Sequence, residues 1–145
     1  MRALLDTNVL VSGIVGTTNA DSVPGLIITL WELRAYDLLV SPEILVEVER
    51  VLARPYFARR ISAEETGQVL SLLRTYAELI VPSPPFPRVV SDPADDALLA
   101  AAVAGNADIL VTGDRELQQL ERHHGVRVLA PAGFLEVLRA ATEDQ

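Results

Sequence analysis

At 145 residues, with half of them apolar, 22% charged and a net charge of −8 at pH 7, the chain has the size and balance of a single globular domain spanning 1–145, not of a disordered tail. Cysteine is absent and all 12 basic residues are arginine, so disulfides, thiolate zinc sites, cysteine nucleophiles, Schiff-base lysines and P-loop chemistry are excluded. The longest strictly apolar run, Ala97 to Ala104, is far short of the roughly 20 residues of a bilayer span, and Asp6 interrupts the first apolar stretch too early for a secretory signal, so the expectation is a cytoplasmic protein with no membrane segment.

Arg2–Leu5 reads as a short strand ending in the turn residues Asp6-Thr7-Asn8. Val9–Val15 is apolar again and is punctuated by Gly13 and Gly16. Pro24–Tyr36 reads as a helix and Leu38–Val40 as a second strand. Ser41-Pro42-Glu43 is a helix start, with an N-cap serine, a first-turn proline and an acid at the positive end of the dipole. Arg54-Pro55 ends that helix. Ser62-Ala63-Glu64-Glu65 is a capping box opening a helix to about Tyr76. Leu79–Val81 is a third strand, followed by the proline-rich loop Pro82–Pro87. Asp92-Pro93 opens an alanine-rich helix to Ala104, which Gly105 ends. Ile109–Thr112 is a fourth strand, Arg115–Arg122 a short helix, Val126–Leu129 a fifth strand and Ala132–Ala141 a last helix. Short apolar strands alternating with helices indicate an α/β fold around a buried parallel sheet.

Ligands of an open parallel sheet bind beyond the carboxyl ends of its strands. Asp6 follows the first strand and Asp114 the fourth, while Glu47 and Asp96 lie on helices that begin at that end. At 100° per residue, Leu99, Ala100 and Val103 fall within about 60° of Asp96, which makes Asp96 the sheet-side carboxylate and Asp95, about 100° away, the weaker candidate. Periodicity leaves Glu47 and Glu49 open, because each lies about 40° from the nearest member of the apolar stripe. Two carboxylates about 4 Å apart repel by roughly 4 kcal/mol at an effective dielectric of 20. Such a cluster is tolerable only when protons or a divalent cation neutralise it. Oxygen ligands without histidine or cysteine select Mg²⁺ or Mn²⁺, which suit phosphodiester hydrolysis.

Leu4-Leu5-Asp6-Thr7-Asn8-Val9-Leu10-Val11-Ser12, Ser41-Pro42-Glu43-Ile44-Leu45-Val46-Glu47-Val48, Asp92-Pro93-Ala94-Asp95-Asp96-Ala97-Leu98-Leu99-Ala100-Ala101-Ala102 and Ile109-Leu110-Val111-Thr112-Gly113-Asp114, in that order, resemble the PIN domain. The resemblance covers nearly the whole chain. It implies a three-layer α/β/α sandwich with a parallel five-stranded sheet, and Mg²⁺- or Mn²⁺-dependent hydrolysis of single-stranded RNA. It carries the catalytic and metal-binding acids onto Asp6, Glu47, Asp96 and Asp114, choosing Glu47 over Glu49, with Asn8 and Thr112 as supporting polar groups. Small prokaryotic PIN proteins of this kind resemble VapC-like toxins, which implies a cognate antitoxin and a homodimer. The stretch from Arg54 to Pro87 departs from the commonest short toxins.

Other polar and aromatic residues have simpler readings. Asp92 and Asp95 suit the N-terminus of a helix. Trp31, Tyr36, Tyr56 and Phe57 suit a core or an interface. Arg54, Arg59 and Arg60 form the one local basic cluster and are the candidate RNA-backbone contacts. His123-His124 reads as an exposed helix end. Two competing functions are a non-catalytic interaction module, whose acidic pocket docks a basic partner, and an aspartate-based phosphotransfer protein. The latter is disfavoured by the absence of lysine and by Asn8, where a second aspartate is wanted.

Overall fold

The computed structural model describes residues 1–143. The elements are β1 (Arg2–Leu5), α1 (Thr7–Gly16), α2 (Val23–Glu32), β2 (Asp37–Val40), α3 (Pro42–Leu52), α4 (Pro55–Ala58), α5 (Ala63–Tyr76), β3 (Glu78–Leu79), α6 (Pro93–Ala104), β4 (Ile109–Val111), α7 (Arg115–Gln119), β5 (Arg122–His123), β6 (Val126–Leu129) and α8 (Pro131–Glu143). The sheet runs β3-β2-β1-β4-β6-β5, parallel throughout except for the antiparallel β5–β6 pair. Consecutive residues Ala3, Leu4 and Leu5 of β1, Leu38, Leu39 and Val40 of β2, and Ile109, Leu110 and Val111 of β4 are all buried. Successive strand residues point to opposite faces, so this pattern requires helices on both sides of the sheet. The α/β sandwich of the sequence reading is therefore present.

Among the described residues the sheet has six strands where five were expected. The extra strand arises where the helix anticipated over Arg115–Arg122 stops at Gln119, since Glu121 takes a left-handed φ of 57°. Arg122 and His123 then pair with Arg127 and Val126 across a two-residue turn, His124-Gly125, whose φ values of 48° and 83° are both positive. That is the geometry which matches strand twist in a tight hairpin, and Gly125 adopts it without a Cβ penalty. The two histidines belong to this hairpin and not to a helix end.

Helix α1 is the element that periodicity left undefined. Val9, Leu10, Val11 and Ile14 are all buried, so no polar stripe marks a helix. Gly13 and Gly16 act there as points of close approach, not as breaks. A Cβ on Gly13 would stand 2.7 Å from the Pro24 carbonyl oxygen, and one on Gly25 only 2.3 Å from that of Gly16. Elsewhere the starts behave as the sequence dictates. Ser22, Ser41 and Asp92 each accept a backbone N–H at an N-cap followed by proline in the first turn. Ser62 and Glu65 form the reciprocal capping box of α5.

The order in which strands are added reverses between the parallel neighbours β1 and β4: the connection after β1 leads outward to β2 and β3, and β4 leads the other way. The crevice at that switch point, above the carboxyl ends of the strands, is where such sheets place a ligand.

Candidate metal centre

A cleft of about 670 Å³ opens at the switch point, lined by the residues just after β1 (Asp6, Thr7, Asn8), the start of α3 (Ser41, Glu43, Ile44, Glu47), the start of α6 (Asp92, Ala94, Asp95, Ala97, Leu98) and the turn after β4 (Gly113, Asp114). Six of these side chains are carboxylates, and none is arginine or histidine.

Asp6 holds the N-cap position of α1 but makes no capping hydrogen bond with its side chain. Its Oδ2 instead accepts the Thr112 hydroxyl at 2.8 Å. Burial raises the Asp6 carboxyl above its ordinary value, and this outweighs the opposing pull of the Thr112 hydroxyl and of the Thr7 and Asn8 amides. Thr112 is fully buried, and its Oγ1 also accepts the Asp114 N–H at 3.0 Å, so one hydroxyl ties the two strand-end acids together. Asp114 caps α7 with Oδ1 accepting the Leu117 N–H at 3.0 Å. Glu47 faces the cleft from α3, with Oε1 accepting from Arg50 one turn further along.

Asp95, not Asp96, is the α6 carboxylate on this cleft. Desolvation first, and then the charges of Asp114, Asp92, Asp6 and Glu116, push its carboxyl up to about 6. Asp96 faces the other way. It is buried, and its Oδ1 accepts the N–H groups of Val89 at 2.8 Å and Val90 at 2.9 Å, with Arg88 Nε 3.4 Å from Oδ2. Those backbone bonds, that of Val90 foremost, hold its carboxyl below the ordinary range. The helical angle did group Asp96 with Leu99, Ala100 and Val103, and all four line one cavity of about 320 Å³ with Pro82, Phe86 and Pro87. That face carries the proline-rich strap. Leu98, Leu99, Ala101 and Ala102 are all buried, so α6 is apolar on more than one side and periodicity had no unique inner face to find. The available signal was Leu98, at i+3 from Asp95 and itself on the cleft. Glu43 and Asp92 also line the cleft as acids whose capping and dipole roles had seemed sufficient.

Asn8, exposed at the first turn of α1, lines the cleft, and Thr112 lies beneath it. Arg54, Arg59 and Arg60 are exposed but line no part of it. They flank α4, which follows the far end of α3, and Arg60 stacks over Tyr56 at 3.6 Å. Among the described residues, no three His, Asp or Glu side chains stand close enough to enclose an ion. The donor chemistry nevertheless fits a hard divalent cation. The cleft offers oxygen ligands without histidine, and mutual repulsion disfavours the charged form of Asp95 in a way that a cation would reverse.

A second depression, of about 570 Å³, lies between α2 and α5. Trp31, Leu72 and Tyr76 supply its apolar wall, and Glu32, Arg34, Asp37 and Glu78, the last paired with Arg2, bring charges of both signs to it. Among the described residues, no helix is long and apolar enough to cross a membrane.

A family model described as the PIN domain matches residues 2–116. Among solved structures, the chain is similar to one in the crystal structure of VapBC2 from Rickettsia felis bound to a DNA fragment from their promoter. The identity is 18%, the match covers 90% of this chain and 98% of that one, and the TM-score is 0.53, a likeness of fold. No curated protein matches.

Proposed function

The chain belongs to the PIN-domain family, and from that footing we propose that its acidic cleft serves a Mg²⁺- or Mn²⁺-dependent endoribonuclease acting on single-stranded RNA. The observation that carries this reading is the convergence of Asp6, Glu47, Asp95 and Asp114, from four separate segments, on one cleft without a basic side chain.

In this reading Asp6, Glu47, Asp95 and Asp114 would draw together to hold the ion, Asp95 taking the place expected of Asp96. The bound cation would offset charge on the scissile phosphate and lower the pKa of the attacking water. Arg50 engages Glu47 at Oε1, and Glu47 can take part through Oε2. Thr112 fixes the rotamer of Asp6, so that this carboxylate meets its ligand already oriented. A cation bound there would favour the ionised form of Asp95, whose carboxyl is pushed up to about 6 by burial and by its acidic neighbours in the metal-free cleft. Asn8, exposed at the mouth, offers its amide to a phosphodiester oxygen. Arg54, Arg59 and Arg60 have no part in this reading.

The toxin role is the finer part of the proposal. It calls for a cognate antitoxin, a homodimer and a cytoplasmic setting, where the RNA is. The Trp31–Leu72–Tyr76 depression, with charges of both signs around it, suits a partner segment that presents apolar side chains.

The test is cleavage of a single-stranded RNA by purified protein with and without Mn²⁺. Wild type is expected to cut only with the metal, and Asp6→Asn to lose about 100-fold or more in rate while melting as wild type does. Cleavage retained by a folded Asp6→Asn protein would refute the site. An inert wild type with Mn²⁺ present would favour a non-catalytic docking module.

A further inference from the structure

Three consecutive backbone amides just before α6 are held by carboxylates. The Val89 and Val90 N–H groups donate to Asp96 Oδ1 at 2.8 and 2.9 Å. The Ser91 N–H donates to Glu116 Oε1 at 2.7 Å, and the Ser91 hydroxyl donates to Glu116 Oε2 at 2.8 Å. The second pair crosses 25 residues of sequence and is a two-pronged, charge-assisted contact.

Its position gives it consequence. Ser91 immediately precedes Asp92, the N-cap of α6, and Asp95 lies in the first turn of that helix. Glu116 lies in the first turn of α7, two residues beyond Asp114. Asp114 is tied through its N–H to Thr112, and Thr112 to Asp6. A chain of hydrogen bonds thus runs from Asp6 through Thr112 and Asp114 into α7, then from Glu116 to Ser91 and into the turn that carries Asp95. Asp96 secures the strap from the opposite face of α6. Both acids are unused by the cleft itself, and neither lines it.

We propose that Glu116 and Asp96 form a clasp that fixes the start of α6 against α7 and so sets the separation of Asp95 from Asp114. Both are positioning residues: neither meets the ion or the RNA. The proposal rests on the reading of the cleft as a divalent-metal site.

The experiment compares Glu116→Gln with Glu116→Ala. Both remove the same charge, but only glutamine can still accept the Ser91 N–H and donate to its hydroxyl. Mn²⁺ is titrated calorimetrically into each metal-free protein, and the melting temperature is recorded alongside. Glu116→Ala is expected to bind Mn²⁺ about 10-fold more weakly than Glu116→Gln, as for other groups that orient metal ligands, and at saturating Mn²⁺ the glutamine variant should recover the greater cleavage rate. Equal Mn²⁺ affinities of the two variants, in a wild type that binds the ion, would overturn the clasp alone. A lower melting temperature for Glu116→Ala with unchanged affinity would make the contact merely structural and overturn it equally. A wild type that fails to bind Mn²⁺ would remove the underlying reading, and the clasp's purpose with it.

Discussion

Asp95 and Asp96 are neighbours on one helix, yet their surroundings differ in every respect that matters to a carboxylate. Asp96 is buried with two backbone N–H groups on Oδ1, and although Oδ2 accepts no hydrogen bond, the Arg88 guanidinium 3.4 Å from it also favours the charged form. Asp95 looks across a cleft at Asp6 and Asp114, and its charged form is disfavoured. Depth does not distinguish the two roles, because the more deeply buried acid is the one in the more comfortable state. What distinguishes them is whether the protein itself supplies the compensating positive partners. Where it does, the carboxylate holds the fold together. Where it does not, the charge stays uncompensated, and in the proposed function a cation supplies what is missing.

The largest effect that would break this contrast is on stability. Asp96→Ala strips the acceptor from Val89 and from the buried Val90 and leaves Arg88 without its partner. The expected fall in melting temperature is about 10 °C or more. Asp95→Ala removes only a repelled charge and should leave the metal-free melting temperature unchanged or slightly higher. Thermal unfolding of the two variants side by side, in chelator, decides the matter. A larger loss for Asp95→Ala would mean that the two environments have been assigned the wrong way round.

A smaller effect, and a sharper one, lies in the pH dependence. The folded Asp95 carboxyl lies near 6, above its ordinary 3.8, so the folded state holds that proton more tightly. Its contribution to stability is complete below about 4 and is lost as pH rises through about 6. Asp6, also raised, acts in the same direction. Asp96, being depressed, contributes above about 4 and loses its contribution as pH falls through its lower folded value. Urea midpoints measured in chelator from pH 4 to 7 should therefore show Asp95→Asn gaining on wild type as pH rises, by on the order of 1 kcal/mol once solvent screening is discounted. A constant difference across that range would argue against the crowding of charge around Asp95.

Much of the fold was legible because local chemistry and global pattern agree. Ser41-Pro42, Ser62 through Glu65 and Asp92-Pro93 announce helix starts, and the apolar strands could only be parallel and covered on both sides. The fold was illegible where apolar residues surround an element. In α1 the glycines that appeared to break a helix are the points where α2 closes upon it. The hairpin strand β5 depends on two left-handed residues, which His124-Gly125 signals only weakly. For the site, the strand-end acids Asp6 and Asp114 follow from topology alone. The choice within Asp95-Asp96 could not, because α6 has apolar contacts on both the cleft side and the strap side. The arginines at 54, 59 and 60 were a cluster in sequence without being part of the cleft.

In the proposed function, the carboxylate left without donors is the one that receives the cation. The most direct test is a calorimetric Mn²⁺ titration of wild type, Asp95→Asn and Asp96→Asn, each isosteric and each one charge poorer. Wild type and Asp96→Asn should bind Mn²⁺, with any weakening in the latter modest, while Asp95→Asn should bind it at least about 10-fold more weakly than either. The reverse order, with binding kept by Asp95→Asn and lost by a folded Asp96→Asn, would contradict the account.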